Sequence, residues 1–395
     1  MTELQKYLVN GGSLEELKND PYNLKIHYKE PFYIFKYNQI NSDFNEPIVC
    51  ESRGIILHEE NWEIACNPFP KFFNLGESYS ADIDLSKSKV YRKYDGSLIK
   101  IWYDRWNEKW MVSTNGMIDA KDADLSEKSP TIKTFYDLVI DVLGSEVEFI
   151  EMTSRFPKDS TYLFELLHPQ NIIVEEQKDK KLILIGVRHN FTGADFLLSN
   201  YDQKTIDGIN NVELCKCFDI NRSFDIFKEF IEQRNKEGEV FEGLVVAEIN
   251  NEIIRERVKM KSTKYFEFNP LYDRGYADNL FIDVFLNNEF SEFELYIKDA
   301  PEYAKDRYAE LKDRFFTKIS ELERKVEDWY GYFLVEKRDN PENYKSEFGM
   351  EVQAREPSWM QGFIFEFIYN DREPMEVIST WNRDKLKTLL GTKDE

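Results

Sequence analysis

The sequence has few of the residues on which disulfide-rich or zinc-dependent proteins are built. Its 395 residues include four cysteines and four histidines, and none has the spacing of a zinc site or a redox motif. No run of 18 apolar residues is present, so we expect no transmembrane helix. The first residues lack the apolar core of a signal peptide, which predicts a cytoplasmic protein.

Positive charge is also scarce. Lys and Arg number 52 against 74 Asp and Glu, which gives a formal net charge of −22. Bulk charge of this sign does not attract nucleic acid, so any nucleic-acid contact must depend on a local basic patch. Aromatic residues make up 15% of the chain and favour a folded protein over an acidic disordered one.

The hydrophobic pattern changes once along the chain. Between about residues 31 and 265, short β-branched and aromatic runs alternate with polar turns, which is typical of strands, and helices are predicted near 133–143 and 224–235. From Tyr308 to Phe333, apolar residues recur every three or four positions. This predicts a long amphipathic helix starting near Pro301, packed in a bundle rather than in a coiled-coil dimer.

One short motif suggests chemistry. Lys93-Tyr94-Asp95-Gly96 places a lysine where a strand ends in a tight turn, a geometry that can project an amine into a pocket. The motif alone is weak, because an ordinary turn with a solvated lysine has the same pattern.

Two carboxylates lie inside apolar runs, Glu165 in residues 163–167 and Glu242 in residues 241–246. A buried acid is rarely left unpaired, because an isolated ion in a core costs several kcal/mol. Each acid alone also fits a strand edge. Together with a turn lysine, they can surround a metal-bound phosphate.

A further element is a row of basic residues at alternate positions: Arg255, Arg257, Lys259 and Lys261. In a strand these side chains share one face and attract an anion, although a solvated strand face is the alternative. A two-residue turn at Asn250-Asn251 would place Glu242 opposite Lys259. Upstream, residues 51–56 and 69–77 add basic groups beside aromatics such as Phe73, which offers a stacking face for a purine or packs in the core.

Seven segments follow one another along the chain in a characteristic order: SRGII, FPKFFNLGE, KYDGSL, FELLHPQNIIV, LILIGVRHN, FEGLVV and VKMKS. Over residues 35–265 this order resembles the phage RNA ligase 1 group, ATP-dependent RNA ligases of the covalent nucleotidyltransferase superfamily that repair tRNA. The resemblance implies an α+β fold. A nucleotidyltransferase domain on antiparallel sheets with flanking helices would span 1–265, and an all-helical domain implicated in tRNA recognition would span 266–395.

The resemblance also implies roles for individual residues. Lys93 would be the nucleophile that takes AMP from ATP, with Glu242, Lys259 and Lys261 as further catalytic residues. Glu242 and Glu165 would lie near a Mg²⁺ ion, for which Mn²⁺ is an alternative. The remaining nucleotide-binding positions would be Tyr37, Arg53, Lys71, Phe73, Asp95 and Gly96. Asn115 departs from the pattern, because a lysine is expected there.

The implied reaction joins a 5′-phosphate to a 3′-hydroxyl through lysyl-AMP and RNA-adenylate intermediates. The expected substrate is tRNA cleaved in its anticodon loop, with an end-healing kinase or phosphatase as a possible partner and no membrane. Three alternatives stay open. A capping-type guanylyltransferase would use GTP, a DNA ligase commonly has arginine where this chain has Leu98, and a non-catalytic module would bind nucleotide or RNA only.

Overall fold

The computed structural model describes residues 1–392 except 39–40, 124, 126–131, 172–178, 199, 238–240, 263–277, 287–289, 298–299, 341–342 and 371–373. The chain divides into two compact units, Met1–Tyr265 and Phe266–Glu395, called here the sheet unit and the helical unit. No helix in these described ranges is long and apolar enough to cross a membrane.

The sheet unit begins with a four-stranded antiparallel sheet in the order β1-β2-β3-β4. The strands are β1 (Leu24–Lys29), β2 (Phe32–Tyr37), β3 (Arg53–His58) and β4 (Ile64–Cys66). Helices α1 (Glu3–Val9), α2 (Leu14–Leu17) and α3 (Pro47–Glu51) contribute apolar side chains to the same core, where Phe35, Ile55 and Leu57 are buried. This core fixes the start of β3, where Arg53 lies.

A second, larger sheet carries most of the chemistry-bearing residues. Its strands are β5 (Ser88–Lys93), β6 (Ser97–Asp104), β7 (Lys109–Ser113), β8 (Ser160–Leu167), β9 (Lys181–His189), β10 (Asp195–Phe196), β11 (Val212–Leu214), β12 (Cys217–Phe218), β13 (Gly243–Asn250) and β14 (Ile253–Lys261). The order is β12-β5-β13-β14-β10-β9-β8-β6-β7, with β11 pairing to β9. All described pairs are antiparallel except β11 with β9, which confirms the predicted α+β fold class.

This sheet is strongly bent, and the bend creates the candidate site. β5 and β6 are six places apart in the strand order, which would separate them by about 28 Å in a flat sheet. Only three residues join them, and this connection spans at most about 15 Å. The sheet therefore curls until the end of β5 faces the start of β6. The predicted strand end at Lys93 is confirmed, but β6 is not the hairpin partner of β5.

The described part of the sheet unit also contains the helices α4 (Phe135–Leu143), α5 (Glu146–Ser154), α6 (Asn200–Ile206) and α7 (Phe224–Lys236). The predicted helices near 133–143 and 224–235 are confirmed by α4 and α7. Thr134 and Asp137 form a capping box at the start of α4, which explains why this helix begins there.

The helical unit consists, in its described part, of α8 (Asp278–Leu286), α9 (Phe290–Ile297), α10 (Glu302–Asp339), α11 (Tyr344–Arg355), α12 (Ser358–Asn370), α13 (Pro374–Ile378) and α14 (Arg383–Leu390). The predicted long helix is confirmed: α10 begins directly after Pro301, and its apolar stripe from Tyr308 to Phe333 is buried. Phe315 on this stripe packs against Phe285 and Phe290 of α8 and α9.

The predicted register of the β13–β14 hairpin is wrong. The turn residues are Asn251 and Glu252, both with positive φ, rather than Asn250 and Asn251. A bulge leaves Arg255 without a partner on β13, so Val245 rather than Glu242 lies opposite Lys259.

Candidate active site

The ends of β5, β13 and β14 bring three predicted residues together. Gly243 pairs with Lys93 on one side and with Lys261 on the other, so Glu242 lies between the two lysines. The Lys93 ammonium bonds to Glu242 Oε1, and Lys261 Nζ lies 3.7 Å from the same oxygen. Lys93 retains 22% side-chain exposure and Glu242 only 5%. A lysine that ligands can reach is thus held by a buried carboxylate.

Glu165 enters the same site from β8. Its Oε1 accepts a hydrogen bond of 3.1 Å from the Gly96 backbone N–H, just after Lys93. Enclosure by protein, opposed by Lys93 and assisted by Glu242, raises the pKa of Glu165 to about 7. A β-carbon on residue 96 would lie 2.5 Å from the Leu166 carbonyl oxygen, so this close approach of turn and strand requires glycine. The adjacent Asp95 is also buried.

The predicted aromatic and basic residues upstream form a second cluster around the Lys71 ammonium. Its Nζ lies 5.1 Å from the ring centres of Tyr37 and Phe44 and 5.5 Å from that of Phe73. Phe73 is only 8% exposed and also contacts Tyr79. In this arrangement Phe73 packs as a core residue, and its role as a stacking face stays a prediction.

Strand β14 connects the two clusters. The Lys259 backbone N–H donates to Phe73 O (3.0 Å), and Leu75 N–H donates to Lys259 O (2.9 Å). Lys259 therefore lies beside the Lys71–Phe73 segment, two residues before Lys261. The Lys71–Phe73 segment and the Lys93–Glu242–Lys261 contact therefore both adjoin the end of β14.

Sequence reasoning missed Lys100, which is fully buried on β6. Its ammonium donates to the carbonyl oxygen of Gly54, directly after Arg53. Desolvation, reinforced by the charges of Arg53 and Lys36, lowers the pKa of Lys100 to about 8. The signal was a lysine inside the apolar run 98–102.

Asn115, which stands where the family resemblance predicts a lysine, lies in the same part of the sheet unit. The Asn115 Oδ1 is buried without a hydrogen-bond partner among the described residues, as is Arg53 Nη1. The Asn115 backbone oxygen and the Lys100 ammonium lie equally close, 2.7 Å, to where a β-carbon on Gly54 would stand. A lysine amine is thus present beside Asn115, although it comes from another strand.

The predicted basic row on β14 is interrupted. Arg257 forms a two-point ion pair with Asp195 and stacks on Phe69 at 4.0 Å, so its charge is internally matched. Arg255 is the bulged residue and is exposed. Of this row, Lys261 approaches Glu242, and Lys259 is hydrogen-bonded through its backbone to Phe73.

The residues present fit a divalent cation held by few protein ligands. No group of three or more His, Cys, Asp or Glu side chains that could hold a metal occurs in the described part of the chain. The Glu242 Oε2, however, is buried and has no hydrogen-bond partner there. Mg²⁺ commonly keeps several waters and takes one or two carboxylates, which matches this orphaned oxygen.

Known proteins share this sequence pattern. The model of a family described as RNA ligase matches residues 51–269, just over half of the chain. The chain belongs to the RNA ligase family. This confirms the predicted resemblance to the phage RNA ligase 1 group and makes the chain, by family, an enzyme that joins RNA ends.

Individual relatives are distant. A putative bifunctional polynucleotide kinase/RNA ligase of Autographa californica nuclear polyhedrosis virus is 26% identical over 308 residues, which are 74% of this chain and 41% of that protein. An RNA ligase of Rhodothermus phage RM378 is 22% identical, over 87% of this chain and 86% of that protein. Among solved structures, an archaeal ATP-dependent RNA ligase has a TM-score of 0.45 at 13% identity, covering 75% of this chain and 73% of that chain.

Proposed function

We propose that this protein seals RNA ends that carry a 5′-phosphate and a 3′-hydroxyl, using ATP and passing through a lysyl-AMP intermediate. The observation that carries the proposal is the contact of Glu242 with both Lys93 and Lys261, three charged side chains at the ends of adjacent strands. We assign the nucleotidyltransferase chemistry of the protein to the sheet unit, 1–265.

In the first step the Lys93 amine attacks the α-phosphorus of ATP. A phosphorus–nitrogen bond forms, the bond to the bridging oxygen breaks, and pyrophosphate leaves. The amine must lose a proton, and Glu242 Oε1, which contacts Lys93 Nζ, is positioned to accept it. Lys261, with Lys259 next to it on the strand, supplies positive charge for the phosphate oxygens, because phosphoryl transfer depends mainly on positioning and charge neutralisation.

The other residues bind the nucleotide. Glu242 Oε2 would hold a Mg²⁺ or Mn²⁺ ion, which neutralises phosphate charge when bound. Glu165 fixes the Gly96 turn and can present a protonated carboxyl near neutral pH. Arg53, whose buried Nη1 has no hydrogen-bond partner among the residues described, would add a donor for a phosphate oxygen.

AMP then moves from Lys93 to the 5′-phosphate of the RNA, and the 3′-hydroxyl displaces it to close the strand. We infer that the substrate is tRNA broken in its anticodon loop. An end-healing kinase or phosphatase would supply the required ends, and the viral relative named for both a kinase and a ligase supports such a partner.

We assign RNA choice to the helical unit, 266–395. A cavity of about 880 Å³ lies between its helices, and Trp359, Trp381 and Lys385 are among its lining residues. Trp359 is 48% exposed, and Lys385 Nζ lies 5.7 Å from the Trp381 ring centre. An exposed indole near a lysine is suited to stacking with an unpaired base.

A sealing assay tests the proposal. Nicked anticodon stem-loop RNA and plain single-stranded RNA, both with 5′-phosphate and 3′-hydroxyl ends, are incubated with ATP or with GTP. We expect sealing with ATP only and a preference for the stem-loop. Glu242→Gln should reduce sealing at least about a hundredfold, since loss of one charge-assisted group in such sites costs about 3 kcal/mol.

The matched control is Glu213→Gln, an exposed carboxylate on β11 that pairs with Lys181. It should seal at the parental rate. Sealing with GTP, or equal activity of the Glu242 variant and this control, would contradict the proposed function.

A further inference from the structure

A basic cavity of about 430 Å³ lies in the sheet unit beyond the candidate nucleotide site. Four of the residues that line it are basic: Lys71, Arg188, Arg255 and Arg257. Two are acidic, Asp195 and Glu256. Glu256 pairs with Glu248 of β13 and directly precedes Arg257 on β14. Since neighbouring residues of a strand point to opposite faces, the Glu256 side chain lies on the face opposite that of Arg257. The face of β14 that carries Arg257 therefore has an excess of positive charge.

The half-buried Arg188 forms one wall of this cavity. Arg188 is held by neutral oxygens, Asn67 Oδ1 at 3.1 Å and Gly193 O at 3.0 Å, and by Pro68 O. The charge of Asp195 acts on Arg188, but Asp195 forms its ion pair with Arg257, and among the described residues no carboxylate lies within ion-pair distance of Arg188. The Arg188 Nε is buried and lacks a hydrogen-bond partner in the described part of the chain. A buried cation without its own counter-ion favours an anionic ligand.

Arg255, on the β14 bulge, also lines this cavity. Arg255 is the extra residue of the bulge, is exposed and forms no ion pair with any residue that the structure describes. Bulges beside functional sites commonly redirect one side chain. The basic row that sequence analysis identified is thus divided: Lys259 and Lys261 lie at the proposed active site, and Arg255 and Arg257 line this cavity.

The cavity adjoins the proposed active site. Lys71 and Phe72 line it, and the next residue, Phe73, accepts the hydrogen bond from Lys259 N–H. The Arg53 guanidinium lies 5.2 Å from the Phe72 ring centre. Pro70, Ile253 and Ile254 add apolar walls that can contact a sugar or a base.

We propose that this cavity binds the backbone phosphates of the RNA strand whose 5′-phosphate accepts AMP. The inference rests on the proposed function, because it assigns a path to the substrate of that reaction. A strand that begins at Lys93 and follows β14 would pass Lys259 and reach Arg255. RNA is favoured over the outer phosphates of ATP because the apolar walls Pro70, Ile253 and Ile254 accompany the cations, and a triphosphate offers no sugar or base to contact them there.

The test uses Arg255→Glu, since Arg255 is exposed and its replacement should not unfold the sheet unit. Lys109→Glu is the control, an exposed cation on the edge strand β7 with the same change of charge. Arg255→Lys retains the charge. Three quantities are measured: the rate of lysyl-AMP formation, the rate of AMP transfer to 5′-phosphorylated single-stranded RNA, and the affinity for a 3′-fluorescein version of that RNA.

We expect Arg255→Glu to form lysyl-AMP at the parental rate and to lose about tenfold in RNA affinity and in transfer at subsaturating RNA, with a salt slope about one unit shallower. Arg255→Lys should retain most of the RNA affinity and of the AMP-transfer rate, and Lys109→Glu should match the parent in both. Equal RNA affinity in the two Glu variants would overturn the inference. So would slower lysyl-AMP formation with unchanged RNA affinity, which would assign the cavity to ATP. A parent that forms no lysyl-AMP would instead contradict the proposed function, while the affinity measurement would still decide the inference.

Discussion

The sheet unit and the helical unit differ in the basic side chains that they bury: in the described part of the chain the helical unit encloses the acids Asp283 and Glu356 but no lysine or arginine. The sheet unit places ionisable groups in its interior: Lys100 is fully buried, and Glu242 lies under two lysines. The helical unit is built on an aromatic core, in which Phe315 packs against Phe285 and Phe290. Buried charges cost stability and mark chemistry, whereas an apolar core supplies stability. The contrast suggests that one unit performs the reaction and the other supports it.

The largest effect on stability is expected in the helical core. Phe315→Ala should lower the free energy of unfolding of the helical unit by about 3–5 kcal/mol, because it removes a large buried ring and leaves a cavity. Denaturant unfolding measures the loss. Tyr303→Ala, at a side chain 67% exposed on the same helix, is the control and should change it by less than about 0.5 kcal/mol. If the units are divided as proposed, Phe315→Ala still forms lysyl-AMP, and loss of that step would break the comparison.

Lys100 sharpens the comparison through its pH dependence. Its pKa is about 8 in the folded protein and near 10.5 when exposed, so the unfolded chain binds more protons between these values. The parent should therefore gain up to about 3 kcal/mol of stability as the pH rises from 8 to 10.5. Lys100→Met should lack this gain. Thermal unfolding of both proteins across this range measures the difference, and parallel curves would contradict the burial argument.

Glu165 should make stability change with pH in the opposite direction. Its pKa is about 7 in the folded protein against an ordinary value near 4.5, so the folded chain binds more protons between these values. The parent should lose about 1–3 kcal/mol of stability as the pH rises from 4.5 to 7. Glu165→Gln should not show this loss, and at pH 8 it should be the more stable protein. Unfolding at pH 5 and pH 8 tests this, and a parent that is equally stable at both would contradict it.

The smallest effect is expected at the surface of the helical unit. Trp359→Ala should weaken binding of the stem-loop RNA by about tenfold, the loss of one base–aromatic stack, with lysyl-AMP formation unchanged. Fluorescence anisotropy of labelled RNA measures the affinity, with Tyr303→Ala again as the control. Equal RNA affinity of the Trp359→Ala and Tyr303→Ala proteins would show that Trp359 in this cavity does not bind RNA.

Local patterns predicted much of the fold. The apolar stripe from Tyr308 to Phe333 gave the long helix α10, and Pro301 marked its start. The acids inside apolar runs were also informative, because Glu242 is buried and the carboxyl of Glu165 is enclosed. In each case one short segment contains the whole signal, since helical period and burial are properties of neighbouring residues.

Long-range geometry could not be predicted in the same way. The β13–β14 register depends on a bulge at Arg255, and no local rule placed that extra residue. The ion pair of Arg257 with Asp195 joins residues 62 positions apart. The burial of Lys100 could be predicted only by knowing that its ammonium reaches the carbonyl oxygen of Gly54 on β3. Such contacts follow from how the sheet bends, which the alternation of a single strand does not encode.

One measurement tests the central claim most directly. The protein is incubated with ATP labelled at the α-phosphate and, separately, at the γ-phosphate, and the modified peptide is then identified by mass spectrometry. The account predicts that only the α-label stays bound, as one AMP on Lys93, and that Lys93→Ala forms no adduct. An AMP found on another lysine, or an undiminished adduct in the Lys93→Ala protein, would contradict it.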